Sequence, residues 1–117
     1  MENQIIEILK SFIDYGDKLS KGVINASNEL RKEENTINTD ILLQCLDGLQ
    51  WCVDVLKNTK GYLSSKDIRI DENRLADIIR ELFEAFQNND NVLIADLLEY
   101  EVTEILEEWS KDIKTIL

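Results

Sequence analysis

The sequence predicts an all-α fold: an antiparallel up-down four-helix bundle, formed as a single domain over residues 1–117. Three observations carry the prediction. Apolar residues recur at alternating steps of three and four along most of the chain, the spacing that gathers them on one face of a helix. Proline is absent and only 4 glycines occur, so little of the chain is suited to turns and loops. Hydrophobic residues make up 44% of 117 residues, enough to fill one core and too few residues for two ordinary domains.

The first helix is predicted over residues 3–32. Its seam runs Ile5, Leu9, Phe12, Gly16, Leu19, Val23, Ala26 and Leu30, and Lys10, Asp14, Asp17, Lys18, Lys21 and Glu29 lie between as a solvated face. Gly16 falls on the seam. A glycine costs roughly 1 kcal/mol against alanine inside a helix. Its presence points to close approach by a neighbouring helix, under an aromatic ring, or to a kink or a break into two helices near Tyr15 to Gly22. The residues from Lys32 to Asn38 form the first connection, and Asn38 or Thr39 is placed to cap the next helix.

The second helix is predicted over residues 40–63. Leu42, Cys45, Leu49, Cys52, Leu56, Thr59 and Leu63 form its stripe, and Ile41, Leu46, Val53 and Val55 widen it. A stripe this wide faces more than one neighbour, as in a globular bundle. Trp51 falls beside the stripe and is read two ways, as a core-edge residue or as an exposed contact.

Ser64-Ser65-Lys66-Asp67 reads as a turn, and Ile68-Arg69-Ile70 as a brief extended stretch. Asp71 is the expected N-cap of a third helix over residues 72–87, with Ile70 stapled onto Leu75. Leu75, Ile79, Leu82 and Phe86 form its stripe. Asn88 and Asn89 end it, and Asp90 caps a fourth helix over residues 91–115. The fourth stripe is Ile94, Leu98, Val102, Ile105, Trp109, Ile113 and Ile116. Short connections make successive helices antiparallel neighbours.

Composition excludes several function classes. With 24 acidic and 13 basic residues the formal charge is −11, which repels nucleic acid and anionic membranes, so neither is an expected partner. From Asp90 to the C-terminus eight carboxylates face Lys111 and Lys114 alone, a local balance of −6. Histidine is absent, which removes imidazole as a general base and as a metal ligand. Cys45 and Cys52 lie seven apart on the apolar stripe, ~10 Å along a helix axis, too far for a disulfide with each other. Two buried free thiols fit a reducing compartment, and the mixed-charge start after Met1 lacks a secretory pattern. The expected location is the cytoplasm.

No motif for nucleophilic, phosphate-binding or zinc chemistry occurs. The carboxylate pairs Glu81/Glu84 and Glu101/Glu104 are the one constellation with chemical potential. Acidic pairs of this kind hold magnesium in some all-helical nucleotide pyrophosphatases. A divalent-metal-dependent hydrolase is therefore the alternative function. The hairpin register opposes it, because Glu84 and Glu101 are offset by ~10 Å along the axis. Asp77 is closer in height to Glu101. No catalytic residue, metal site or cofactor is assigned.

The stretch Leu-Phe-Glu-Ala-Phe-Gln-Asn-Asn-Asp-Asn-Val-Leu-Ile-Ala-Asp-Leu-Leu-Glu-Tyr-Glu-Val-Thr-Glu-Ile-Leu-Glu-Glu-Trp, residues 82–109, carries a resemblance. It resembles the end of small acidic helical proteins of unknown function from clostridia and bacilli. More loosely, it is similar to the last two helices of the FliS flagellin chaperone family, acidic four-helix bundles that bind a helical segment of flagellin. The resemblance implies a bundle and a helper role and transfers no binding residue.

The expected function is thus a non-catalytic protein-interaction module, an adaptor or small chaperone-like bundle that binds a helical partner segment. The candidate contact surface is Trp51, Val55 and Tyr62 on the second helix with Tyr15 on the first. Trp51 and Val55, four apart, share a face beside the Leu49–Leu56 seam. Two occupants stay open: a second copy of the chain, forming a homodimer, or a different protein.

Overall fold

The computed structural model describes residues 2–32 and 39–117. Helix α1 spans Glu2–Leu30, α2 Thr39–Ser65 and α3 Asn73–Gln87. The fourth rod is built from α4, Asn91–Asp96, a π-helical stretch, Leu97–Val102, and α5, Thr103–Lys114. The bundle is all-α and up-down antiparallel. α1 packs between α2 and the fourth rod, while α3 closes the ring by packing on α2 and α4. Its long axis measures 48 Å against 21 and 20 Å across, close to the ~43 Å that 29 helical residues span.

The predicted stripes supply the core, with Ile5, Leu30, Phe86 and Ile116 partly buried at its edges and Ile41, expected to widen the α2 stripe, exposed. Leu9, Phe12, Leu19 and Val23 from α1 meet Leu49, Cys52, Leu56 and Leu63 from α2, with Leu75 and Leu82 from α3. Ile94, Leu98, Leu106, Trp109 and Ile113 supply the fourth side. Trp109, 2% exposed, is the largest buried side chain. Among the described residues the two thiols are free and buried, as expected.

Two helix ends show how the chain turns without glycine. At the end of α2, Ile68 N–H donates to Leu63 C=O at 2.9 Å, with Asp67 left-handed at φ 61°. At the end of α3, Asp90 N–H donates to Ala85 C=O at 2.9 Å, with Asn89 at φ 53°. Both are six-to-one closures, and Asp and Asn are the non-glycine residues that best tolerate the left-handed region. Asp90 then caps the fourth rod by accepting from Leu93 N–H at 3.1 Å, as the sequence predicts. The expected cap of α3, Asp71, sits one residue ahead of the N-cap position, which Glu72 holds without a side-chain bond, and accepts from Asn73 N–H at 3.0 Å. Ile70 is half-buried on the core, and residues 68–70 form no strand. The predicted first connection and the Asn38 cap lie outside the described residues.

Two expectations are corrected. Helix α1 runs unbroken through Gly16 and Gly22, so the chain does not break into two helices between Tyr15 and Gly22. Gly16 is buried beside Ser110, yet a Cβ there would stand at an ordinary 3.7 Å from the Ser110 hydroxyl, with no aromatic ring above it. The glycine that lies under a ring is Gly48.

The fourth rod is the second correction, since a continuous α-helix was expected from residue 91. Ile94, Leu98 and Val102 are spaced four and four, and all three are buried. Two successive fours drift off a face that turns every 3.6 residues. Widening the turn to i→i+5 bonding brings them back onto one face. The Thr103 hydroxyl donates to the Glu99 carbonyl at the end of this stretch, a second partner for a carbonyl in a loosened ladder. Arg31, just past α1, braces the same stretch. Its guanidinium donates to Asp96 and to Glu99, each at 2.8 Å, and lies 5.9 Å from the ring centre of Tyr100. The hydrogen bond to Asp96, and then the one to Glu99, hold Arg31 above its ordinary pKa.

Candidate functional site

The groove between α1 and α2 brings together two of the predicted contact residues, Tyr15 and Trp51. Antiparallel packing sets Tyr15 opposite Gly48. The missing side chain of Gly48 leaves a notch, and the Tyr15 phenol fills it: a Cβ on Gly48 would run into the Tyr15 hydroxyl and stand 3.1 Å from Leu19 Cδ1. Trp51, one turn on, meets the Tyr15 ring edge-on, with centroids 5.1 Å apart and planes at 80°. Behind them Phe12 lies 6.4 Å from Trp51, nearly parallel to it at 21°. These spacings fall in the range of favourable aromatic pairs.

Tyr15 and Trp51 are each 37% exposed, so the pair is packed on one side and open on the other. Trp51 therefore packs at the core edge and leaves part of its ring open to solvent. Ser11, Gln44, Asp47 and Gly48 join them in lining an open groove of about 550 Å³. Burial, then the neighbouring Cys52 and Cys45 and the Asp47 carboxylate, raise the pKa of the Tyr15 phenol. The hydroxyl is neutral at physiological pH, and the groove floor is apolar with a polar rim.

The structure separates the four predicted contact residues. Tyr15 and Trp51 are brought together. Val55, 7% exposed, belongs to the core, and its carbonyl accepts the Thr59 hydroxyl at 2.8 Å. Tyr62 stands three turns beyond Trp51, ~16 Å along α2, half-buried with the Lys66 ammonium 5.7 Å from its ring centre. Ser11, Gln44, Asp47 and Gly48 were not singled out from sequence. Gly48 carried the signal, as a costly glycine inside a strongly helical run, seven residues beyond Ile41 on the same face.

The carboxylates of the alternative reading lie on the other side of the bundle. Asp77, Glu81, Glu101 and Glu104 do line one groove, with Arg74, and Glu84 is not among them. Asp77 is thus level with Glu101, as the hairpin register predicts. The groove is crossed by cations: Arg80 pairs with Asp77, and Arg74 with Glu108 at 3.1 Å. Among the described residues no three carboxylates or thiols stand close enough to hold a metal ion. Nor is any described helix long and apolar enough to cross a membrane.

No curated protein and no solved structure matches the chain. A family model does, over residues 7–112, which reaches every helix of the bundle and includes all the residues lining the α1–α2 groove. The chain belongs to that family, DUF8042, described as a domain of unknown function.

Proposed function

We propose that the protein is a non-catalytic interaction module, chaperone-like or adaptor-like, that receives a helical segment of a protein partner in the α1–α2 groove. One observation carries the reading: Trp51 and Tyr15 form a preassembled aromatic pair, partly open to solvent, at the floor of the groove between α1 and α2. Aromatic residues with one face already packed bind at low entropic cost and dominate interface energies. Two parallel ridges with an apolar trough between them suit an incoming amphipathic helix. The buried free thiols Cys45 and Cys52 favour a reducing compartment, and the cytoplasm is the proposed location.

A photo-crosslinking amino acid at Gln44 or Ser11, used in extract of the native host, tests the reading. The expected result is a crosslinked partner, mapped to an amphipathic helical segment, that disappears with Trp51→Ala while circular dichroism is unchanged. The same crosslinked species with Trp51→Ala would overturn it.

A further inference from the structure

The rim of this groove has a charge pattern of its own. Asp40, Asp47 and Asp54 lie seven residues apart on α2, and all three are exposed. Seven residues are two turns, so the carboxylates form a row along one edge at ~10 Å intervals. The row runs beside Gln44, Gly48 and Trp51, and Asp47 itself lines the groove. Asp54 accepts the Gln50 side-chain amide at 3.1 Å, and among the described residues none of the three has a basic partner. The α1 edge, read by the same spacing around Ser11 and Tyr15, adds exposed Glu7 and Asp14 against Lys18. The groove is an apolar trough with a negative border.

We infer that its occupant is a basic amphipathic helix, which sets an apolar stripe on Tyr15 and Trp51 and a Lys/Arg row, repeating every seven residues, along Asp40, Asp47 and Asp54. The inference rests on the interaction reading above and specifies the partner's chemistry. A second copy of the chain fits poorly. A two-fold axis across the groove would set one aspartate row against the other, and an axis along it would set the row against the partner's Glu7 and Asp14 edge, within a pair carrying −22 in total (2 × −11). A helix with lysine or arginine at heptad spacing meets the row in register, and the opposite charge speeds encounter and fixes orientation.

The test uses three synthetic helical peptides about six turns long that share one apolar stripe. They differ only in the row beside it, which carries Lys, Gln or Glu. Binding to the full chain is read by tryptophan fluorescence and calorimetry at low and high salt. The Lys peptide is expected to bind about tenfold tighter than the Gln peptide, from three exposed ion pairs. The Glu peptide is expected to be weakest, and the differences are expected to shrink at high salt. The triple variant Asp40→Asn, Asp47→Asn, Asp54→Asn should bind Lys and Gln peptides alike. The reversal Asp40→Lys, Asp47→Lys, Asp54→Lys should prefer the Glu peptide.

Equal binding of all three peptides to wild type, lost with Trp51→Ala, leaves the groove reading standing and overturns the charge inference. Binding by none overturns both. A wild-type dimer that Trp51→Ala converts to a folded monomer makes the occupant a second copy and also overturns the inference.

Discussion

The phenol of Tyr15 occupies the space where a side chain on Gly48 would stand. This makes Gly48 different from the other three glycines, all of which lie inside helices and carry the same backbone cost. At Gly22 and Gly61 an added Cβ would meet nothing within 4 Å, and at Gly16 it would make only an ordinary contact with Ser110.

Glycine-to-alanine substitution should therefore divide the four positions. Gly22→Ala and Gly61→Ala are expected to stabilise the protein by roughly 0.5–1 kcal/mol each, from helix propensity and a less free unfolded chain. Gly48→Ala is expected to give no such gain, because the methyl group displaces Tyr15 and crowds Leu19. It should also shift Trp51 fluorescence by breaking the edge contact. Urea melts of the set check this, and a Gly48→Ala variant as stabilised as the others would show that Tyr15 does not need the notch.

The two tryptophans should respond in opposite ways. Trp109→Ala empties a core site and is expected to cost ~3–5 kcal/mol, enough to unfold a marginal bundle. Trp51→Ala removes a ring that is already 37% exposed, and the fold should survive with a much smaller loss. Acrylamide should quench the emission of Trp51 and leave that of Trp109 nearly untouched. Equal quenching of the two would contradict the placement.

The buried thiols set an alkaline limit. Burial pushes Cys52 up from 9.0 to about 12, and raises Cys45 as well. Below pH 9 the thiol is protonated in folded and unfolded chains alike, and its contribution is complete. Between pH 9 and about 12 the unfolded chain loses its proton first, so stability falls as pH rises, by at most ~1.4 kcal/mol per pH unit for one group. Stability measured over this window should fall less steeply in Cys52→Ala than in wild type. Parallel slopes would sink the assignment. At neutral pH native labelling of either cysteine should be slow.

Arg31 is expected to control the π-helical stretch. Arg31→Ala frees Asp96 and Glu99 from their shared cation and uncovers Tyr100. Hydrogen exchange at residues 97–102 should accelerate more than exchange in α1 or α2. High salt should narrow the gap between variant and wild type, since the bridge is solvent-facing. Unchanged exchange in that stretch would show that packing of Leu98 and Val102 holds the wide turn unaided.

Much of the bundle was legible along the chain because each helix writes its own buried face into its own spacing. The seam from Leu9 to Leu30, the stripe from Leu42 to Leu63, the Asn89 turn and the Asp90 cap depend on residues within a few turns of one another. The π turn left a trace in the fours from Ile94 to Val102, although a count of apolar positions alone reads as ordinary helix.

What the sequence by itself determined, then, is which residues point inward on each helix and where each helix stops. Tertiary structure decided how the helices are rotated and offset against their neighbours. Spacing on α2 could not say that Val55 turns into the core while Trp51 stays at the surface, because that depends on where α1 lies. Nor could it choose Gly48 over Gly16 as the glycine beneath an aromatic ring. Arg31 lies 65 and 68 residues from the carboxylates it joins, and a separation of that kind leaves no periodic mark. Contacts between helices are set by the packing of whole faces, and only the assembled bundle fixes which side chains meet across them.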